Sequence, residues 1–397
     1  MSHSDALSDW GQVVATNMPC LSAPQARVLS WWSYGIVFAG SCTQPKVALC
    51  LATMLGCRPN TTRQRLRDWL LDAKDKHGPS RRSVDVDVCF EFLLRWIVRL
   101  WEGDTLVLAL DATTHAERHT VLTLSVLYRG CAIPVFWRIL PGNVKHPWRN
   151  HWLRMLRIAR KNLRRELTAQ GRRAPTVLVL TDRGITVSWL FRRIRRLGWH
   201  PLLRMRRNGT FCPAATGVYQ PLTSLVPRPG TEWSGEGTAF KVKGSRIESA
   251  VVLAYWHPDA TEAWFLLPDL LPDSVDPGWY ALRMWIEQGF RTLKRGGWQW
   301  EQTRRTDTRR TERLWLTLSV ATLWSLNVGS HEEDETPWIS ECRHLEDGQV
   351  IRQHALVWVG VLAIRCGAAD AQPRHILHPF KPEALPTSTR LPRHEPE

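Results

Sequence analysis

Residues 105–112 read TLVLALDA, a short and nearly continuous apolar run whose last acidic residue is Asp111. A run of this length and composition predicts a buried β-strand. Two further apolar segments follow, HTVLTLSVLY (119–128) and CAIPVFWRIL (131–140), and a tight turn at Gly130 joins them. We therefore expect three consecutive antiparallel strands, with Asp111 at the end of the first one.

The next part of the chain predicts a parallel crossover. A basic helix over about 148–170 leads to PTVLVLT (175–181), a second buried strand that Asp182 follows directly. TVSWLFRRIRRLG (186–198) then predicts a helix, and HPLLRMR (200–206) predicts another strand. A strand, a helix and a strand in this order form a right-handed parallel unit. The whole order is that of an α/β, ribonuclease-H-like mixed sheet flanked by helices.

A third acidic residue lies in YALRMWIEQGFRTLK (280–294), which has the pattern Y-x2-R-x3-E-x6-K. On a continuous helix that turns about 100° per residue, these four polar side chains share one face. The face carries a carboxylate, two cations and a phenol, namely Glu287, Arg283, Lys294 and Tyr280. It suits a metal-binding carboxylate whose neighbours hold phosphate oxygens. The alternative is a solvated helix with an ion pair at i,i+4.

Asp111, Asp182 and Glu287 together predict a metal site. An Asp at the end of an apolar strand is often only a turn residue. Three acidic residues in these settings instead favour catalysis, because carboxylate oxygens are suited to two Mg²⁺ or Mn²⁺ ions about 4 Å apart.

The charge of the chain predicts a polyanionic partner. Lys and Arg number 53 against 37 Asp and Glu, which gives a formal net charge of +16. DNA is the first candidate, and a basic protein of the membrane surface is the alternative class. No apolar run approaches the roughly 18 residues of a membrane span, and the N-terminal residues lack the pattern of a signal peptide, so we expect a cytoplasmic protein that does not bind membranes. The sequence has no P-loop, which predicts that no nucleotide cofactor is used.

The chain resembles the DDE transposases of bacterial insertion sequences, of the insertion-sequence-four type. All four positions of the Y-x2-R-x3-E-x6-K signature match, and LALDATTH and VLTDRG resemble the first and second acidic regions of that family. The resemblance covers about 104–330. It implies that Asp111, Asp182 and Glu287 are the metal ligands, and that Tyr280, Arg283 and Lys294 contact phosphates at the transposon end.

The resemblance also implies an activity. Such an enzyme cuts double-stranded DNA at the ends of the element and joins the freed 3′ hydroxyls to target DNA, in some cases through a hairpin intermediate. It acts as a homodimer on DNA, near the nucleoid. Beyond the signature, a basic stretch predicts a track for the DNA backbone; the candidate residues are Arg291, Arg295, Arg304 and Arg305. Two other functions stay open, a non-catalytic DNA-binding regulator derived from a transposase and a ribonuclease-H-like nuclease.

The sequence divides into five regions. Residues 1–103 form an N-terminal helical region expected to bind DNA, 104–207 and 277–330 form the two parts of the catalytic core, and 208–276 form an inserted β-subdomain with strand-like FKVKG, IESAVVLAYW and EAWFLLP. Residues 331–397 contain a last helix and a tail expected to be disordered from about Lys381. By the resemblance, the inserted subdomain holds the transposon end and one aromatic side chain stacks on a flipped base; the candidates are Trp233, Trp256 and Trp264. For Trp256 and Trp264, which lie within apolar strands, the sequence favours packing in the core instead.

Two weaker patterns remain open. The segment KVALCLATMLGCRPNTTRQRLRDWLLDA predicts two helices, the second capped by Thr61 or Thr62, which suits either a DNA-reading helix-turn-helix or plain helix packing. In the former, the residues on DNA are Arg63, Arg65 and Arg67. His115 and His119 resemble half of a zinc site, but we expect them in a hairpin loop without a helix to align them.

Overall fold

A ten-stranded mixed sheet is the largest element of the computed structural model, which describes residues 2–78, 81–142, 144, 147–345, 350–369 and 377–389. Its strand order is β3-β2-β1-β4-β5-β10-β9-β8-β6-β7. The strands are β1 Thr105–His115, β2 His119–Tyr128, β3 Cys131–Pro141, β4 Thr176–Thr181, β5 His200–Arg204, β6 Thr210–Pro213, β7 Gln220–Pro221, β8 Thr231–Ala239, β9 Ile247–Trp256 and β10 Trp264–Pro268.

Helices flank this sheet and form the whole N-terminal region. They are α1 His3–Asn17, α2 Ala23–Ala39, α3 Gln44–Leu55, α4 Pro59–Leu70, α5 Val86–Leu100, α6 Arg149–Ala169, α7 Ser188–Arg196, α8 Met284–Leu293, α9 Thr308–Glu335 and α10 Leu356–Ala369. A short hairpin, β11 Cys342–His344 and β12 Val350–Arg352, precedes α10.

The first five strands have the predicted topology. β1 pairs antiparallel with β2, and β2 pairs antiparallel with β3. β4 lies parallel to β1, and β5 lies parallel to β4, with α6 and α7 as the connections that parallel neighbours require. The predicted order of three antiparallel strands and a parallel pair is confirmed.

The region predicted to be an inserted β-subdomain extends the same sheet. β10 pairs antiparallel with β5, where Leu266 lies opposite Arg204, and β9, β8, β6 and β7 follow outward. The region is thus continuous with the core sheet through backbone hydrogen bonds. Two of its three predicted strands are β9 and β10, but FKVKG is not a strand, because Phe240 has φ 63° and Lys243–Ser245 is a 3₁₀ turn.

The N-terminal helices share one hydrophobic core with the rest of the chain. Trp10 in α1 stacks on Trp324 in α9 with the ring centroids 4.3 Å apart. Trp69 in α4 donates from Nε1 to the carbonyl of Arg313 in α9, at 3.0 Å. Arg313 itself is 5% exposed and donates to two backbone carbonyls of the N-terminal region. Helix α9 therefore holds the N-terminal region and the sheet together.

The local start of α4 differs from the prediction. Its N-cap is Arg58, with Pro59 at the first helical position, and neither Thr61 nor Thr62 is the cap. Proline fits there because the first helical residue needs no N–H donor. Within the described ranges, no single helix is long and apolar enough to cross a membrane; by length and composition alone, α2 and α3 pass that test together, with a bend of 94° between them.

The tail is ordered up to Thr389, contrary to the disorder predicted from Lys381. Phe380 is fully buried, and its backbone pairs with Trp101. Farther along, the Ser388 N–H donates to Oδ1 of Asp276 at 2.6 Å. Residues 390–397 lie outside the described residues. Residues 377–389 therefore pack against the core, and these contacts satisfy backbone groups of Phe380 and Ser388.

A buried ion pair at the end of α9 predicts an acid-sensitive contribution to stability. Arg352 donates from Nε and Nη2 to the two carboxylate oxygens of Glu333, both at 2.7 Å. Burial raises the pKa of Glu333, but the bonds from Arg352 and Ser340 outweigh it, so the net pKa is below the usual range. A depressed carboxylate pKa stabilises the fold at neutral pH, and this stabilisation is lost as the pH falls through the folded-state pKa.

We therefore expect Glu333→Gln to lower the free energy of unfolding by about 3 kcal/mol at neutral pH. The difference from the wild type should shrink as the pH falls from about 7 to about 3. Urea unfolding across that range measures it, with the exposed neighbour Glu335→Gln as the control. A difference that does not depend on pH would contradict the ion-pair explanation.

Candidate active site

The parallel register of β1 and β4 brings two acidic residues side by side. Leu110 in β1 lies opposite Thr181, the last residue of β4. Asp111 follows Leu110, and Asp182 follows Thr181. β1 itself does not end at Asp111 as predicted; it continues to His115, paired only with β2. The two carboxylates therefore start from adjacent positions at the edge where β4 ends.

Helix α8 brings the third acidic residue to this edge. It packs on β3, where a Cβ built on Gly289 would lie 2.8 Å from the Cβ of Ala132. The absence of a side chain at Gly289 thus allows the helix to approach the sheet closely. Glu287 lies in the first turn of α8, with its side chain 50% exposed.

One guanidinium contacts all three carboxylates. Arg283 lies 2.8 Å from Oδ2 of Asp111 and 3.9 Å from Oδ2 of Asp182 through the same atom, Nη2. Its Nη1 donates to Oε1 of Glu287 at 2.5 Å. Because both oxygens contact the same nitrogen, the two aspartate oxygens are less than roughly 7 Å apart. The side chains of Arg283 and Asp111 are each 13% exposed, whereas those of Asp182 and Glu287 are 31% and 50% exposed, so the cluster is enclosed at Asp111 and open to water at Glu287.

The electrostatics of the cluster favour binding of further positive charge. Burial raises the pKa of Asp111, Arg283 opposes this increase, and Asp182 and Glu287 add to it by repulsion. Burial lowers the pKa of Arg283, but the surrounding carboxylates raise it more, so the guanidinium stays charged. Three carboxylates share a single neighbouring cation here, which leaves net negative charge for hard cations to neutralise.

The carboxylates have the donor chemistry of a Mg²⁺ site, but Arg283 holds them apart. Among the described residues, no three Asp, Glu, His or Cys side chains lie close enough to hold one metal ion. The guanidinium stands between Asp111 and Glu287 with a charge-assisted hydrogen bond to each. Binding of divalent cations at these oxygens therefore requires Arg283 to withdraw.

Tyr280, for which the resemblance implies a phosphate contact, is buried in this structure. The expected single helical face is not formed, because Pro277–Arg283 is a 3₁₀ helix and α8 begins only at Met284. Tyr280 is 3% exposed and donates from its hydroxyl to the carbonyl of Thr181 at 3.3 Å. This bond ties the 3₁₀ helix to the end of β4, one residue before Asp182. Tyr280 thus positions the cluster.

We expect Tyr280→Phe to leave DNA affinity unchanged and to lower the free energy of unfolding by about 1 kcal/mol, the cost of one neutral hydrogen bond and an unpaired carbonyl. Affinity measured by fluorescence anisotropy and stability measured by urea unfolding separate the two effects. A loss of affinity of about tenfold without a loss of stability would favour direct phosphate contact instead.

The remaining predicted DNA contacts have different environments. Lys294 is the C-cap of α8, and burial lowers its pKa, with Glu301 opposing that decrease. Arg291, Arg295 and Arg304 are exposed. The side chain of Arg295 is 90% exposed and forms an ion pair with Glu301. Arg305 is half-buried and lies 3.4 Å from Oε1 of Gln44. The predicted basic track is therefore exposed at some positions and enclosed at others.

The structure also contains a basic concavity beside Asp182 that the sequence patterns above do not predict. It has a volume of about 740 Å³ and is lined in part by Arg183, Arg206 and Arg207. Glu262 orients Arg183 through a 3.1 Å ion pair. The signal was present in LLRMRRN, because β5 and β4 are parallel and the residues after their carboxyl ends meet at one edge of the sheet.

The two histidines are structural contacts. His115 and His119 lie at the paired ends of β1 and β2 and are buried, which corrects the predicted hairpin loop. Their Nε2 atoms contact the carbonyls of Glu301 and Arg305, at 3.2 and 3.0 Å. They therefore fix the segment that follows α8 against the β1–β2 hairpin.

The three candidate tryptophans are half-buried in the extended sheet. Trp233 packs edge-on against Phe211, and Trp256 donates to the carbonyl of Ala260. Trp264 packs edge-on against Tyr280, with the ring centroids 5.3 Å apart. Of the three, Trp264 is thus the one in contact with a residue that positions the carboxylate cluster.

A comparison with known families addresses what this edge of the sheet does. Residues 150–324 match the family model of the transposase DDE domain. The match supports a DDE transposase. It includes Asp182 and Glu287 and begins after Asp111, and it implies a nuclease or transposase enzyme. The mixed sheet with its helices is consistent with a ribonuclease-H-like transposase fold. No curated protein matches the chain.

Proposed function

We propose that this chain is a transposase of the insertion-sequence-four type that cuts DNA at the ends of its element and joins the 3′ hydroxyls to target DNA. The observation that carries the proposal is the guanidinium of Arg283 in contact with three carboxylates from β1, the end of β4 and α8. The net charge of +16 supplies the attraction to DNA.

In this proposal, Asp111, Asp182 and Glu287 hold two divalent cations, Mg²⁺ or Mn²⁺. When bound, such ions lower the pKa of water and stabilise charge on the leaving oxygen. Asp111 is fixed within a strand, whereas Glu287 is half-exposed on a helix and has room to turn toward the ions. Arg283 would have to leave the carboxylates for cations to bind there, and its planar donors would then be free to contact a phosphate of the DNA, as the resemblance implies.

The chemistry is phosphoryl transfer without a covalent protein intermediate. Water attacks the scissile phosphorus, the bond to the 3′ oxygen breaks, and a 3′ hydroxyl and a 5′ phosphate result. The 3′ hydroxyl then attacks a target phosphorus in line and displaces a target 3′ oxygen. In the hairpin version of the sequence, it first attacks the opposite strand of the element's own end, and a second hydrolysis opens the hairpin. Because two ends take part, the active form in the cell is a homodimer on DNA.

Base stacking by a tryptophan belongs to the same proposal. Trp264 is our preferred candidate, because its contact with Tyr280 joins it to the carboxylate cluster. A base flipped out next to the cut would gain stacking energy from an aromatic face.

Two rival functions make different predictions. A transposase-derived regulator binds DNA and does not cut it, yet a non-catalytic protein gains nothing from a buried Asp111 that two neighbouring carboxylates, Asp182 and Glu287, repel. A ribonuclease-H-like nuclease cuts DNA and does not join the 3′ hydroxyl to a second duplex. Strand joining therefore separates the proposal from both.

The test is cleavage of a labelled duplex that bears the boundary of the element, with and without Mg²⁺, for the wild type and for Glu287→Ala. We expect cuts at the boundary and joining to a second duplex, both dependent on Mg²⁺ and both absent in the variant. Equal, tight binding by both proteins with no cutting by either would favour the regulator and would remove the catalytic assignments.

A further inference from the structure

A second basic cavity lies between α4 and the start of α9, apart from the carboxylate cluster. Its volume is about 470 Å³. We call it the α4–α9 pocket and define it by four arginines in its lining, Arg63, Arg67, Arg305 and Arg310. Among the described residues that line it, there is no Asp or Glu. A concave surface with four cations and no lining carboxylate is built for an anion.

Arg305 is the strongest sign that a ligand belongs in this pocket. Its contact in the described part of the chain is the amide oxygen of Gln44, at 3.4 Å, and its buried Nε has no hydrogen-bond partner there. Burial lowers the pKa of this guanidinium, and Arg310 lowers it further. A half-buried charge without a carboxylate partner is costly, so its retention points to a partner that comes from outside the protein.

The other cations are held on rigid elements. Arg63 and Arg67 are exposed residues of α4, and this helix is fixed to α9 by the hydrogen bond from Trp69 to the carbonyl of Arg313. Arg310 lies in the first turn of α9 and pairs with Asp75 at 3.4 Å. The pocket thus spans the N-terminal helices and the catalytic part of the chain, with little rearrangement needed to bind.

The position of the pocket indicates which anion it takes. The carbonyl of Arg305 accepts a hydrogen bond from His119, the cross-strand partner of His115. His115 lies four residues beyond Asp111 on β1, so the backbone of Arg305 lies about 13 Å farther along the strand than Asp111. This distance corresponds to about four base-pair steps of B-DNA. A duplex that is bound at the carboxylates and runs along β1 would therefore bring backbone phosphates within range of the pocket.

We propose that the α4–α9 pocket binds a backbone phosphate of the DNA duplex whose cleaved bond lies at Asp111, Asp182 and Glu287. Arg305 contacts the phosphate from the catalytic part of the chain, and Arg63 and Arg67 contact it from α4. The pocket sets the angle at which the duplex leaves the site. This inference rests on the proposed function for its ligand, DNA, but it makes no use of catalysis.

The test measures binding of a labelled 30-base-pair duplex to the full chain, by fluorescence anisotropy without divalent cations, at several salt concentrations. The proteins are the wild type, Arg305→Gln, the double variant Arg63→Gln/Arg67→Gln, and the control Arg164→Gln, an exposed arginine of α6 outside the pocket. Each lost phosphate contact should reduce the slope of log affinity against log salt by about 1 and the affinity at about 0.1 M salt by about eightfold. The melting temperature of Arg305→Gln should be unchanged or higher, because an unpaired buried charge is removed.

Pocket variants whose affinity and salt slope equal those of the control would overturn the proposal. The proposal would also be overturned if inorganic phosphate stabilised the wild type while the variants bound the duplex as the control does, because the pocket would then bind a small free anion. If Arg305→Gln does not fold, the double variant on exposed positions decides alone. If the wild type cleaves DNA and the pocket variants bind the duplex as the control does, only the pocket proposal is rejected. If the pocket variants bind the duplex more weakly and the wild type does not cleave DNA, only the proposed function is rejected.

Discussion

Asp111→Asn is expected to reduce Mg²⁺-dependent cleavage and strand joining at least about 1000-fold while the protein stays folded. Asn has the shape of Asp but carries no charge, so the backbone of β1 keeps its pairing with β2 and β4. The loss comes from the donor set, because a neutral amide replaces the most buried of the three carboxylates, with a side chain 13% exposed. Since burial raises the pKa of Asp111, removal of its charge should not lower the melting temperature without metal.

Single-turnover cleavage of the end duplex, together with a thermal melt without metal, measures both effects. Asp104→Asn is the matched control, because it makes the same change at an exposed residue just before the same strand. We expect the control to cut like the wild type. Cleavage by Asp111→Asn within about tenfold of the wild type would show that Asp111 is not a ligand, and the site would have to be sought elsewhere on the sheet edge.

The sheet of the catalytic core was readable from the sequence because its strands are long, apolar and separated by clear turns. TLVLALDA and PTVLVLT each form a strand buried on both faces, and this leaves a nearly continuous apolar run. The extension of β1 to His115 was not readable, since ATTH has a polar composition and its strand conformation comes from pairing with β2. Likewise β8, TEWSGEGTA, is rich in residues that disfavour strands, and its pairing with β9 overrides that preference.

The N-terminal boundary shows another limit. Helix α1 lies inside the region 1–103 that the sequence predicts to be helical, but the sequence analysis sets no bounds for it, although Ser2 and Asp5 form a capping box and Leu7, Trp10 and Val14 are buried at helical spacing. This signal is short and lies in an otherwise polar stretch. That 1–103 shares one core with the rest of the chain is not readable from the sequence, because Trp10 and Trp324 are far apart in sequence and contact each other only in the fold.

At the candidate site, the positions of the carboxylates followed from local patterns, whereas the roles of their neighbours did not. Asp182 follows a strand and Glu287 lies near the start of a helix, and both features are local. That Tyr280 is buried and that Arg283 bridges three acids depend on how α8 packs against the sheet. The basic stretch divides for the same reason, because Arg304 is exposed, Arg305 is half-enclosed and Arg313 is a buried structural residue.

The close packing of α9 and α10 gives the largest expected effect on stability. A Cβ added at Gly360 in α10 would lie 1.8 Å from the carbonyl oxygen of Ser325 in α9. The same holds in the other direction, where a Cβ at Gly329 in α9 would lie 1.9 Å from the carbonyl oxygen of Leu356. Both clashes are with backbone atoms, so a rotamer change in a side chain cannot relieve them, and the two helices must separate.

Gly360→Ala is therefore expected to lower the free energy of unfolding by about 3 kcal/mol or more, at or above the upper end of the usual range for overpacked cores. Urea unfolding measures this, with Gly244→Ala as the control, because a Cβ there meets no atom within 4 Å. A near-neutral Gly360→Ala would mean that α10 is not seated on α9 as closely as these contacts require. The expected loss reaches the candidate site as well: α9 also packs on β3 and α2. Separation of α9 from α10 should thus weaken DNA binding and cleavage together, whereas Asp111→Asn should remove cleavage alone.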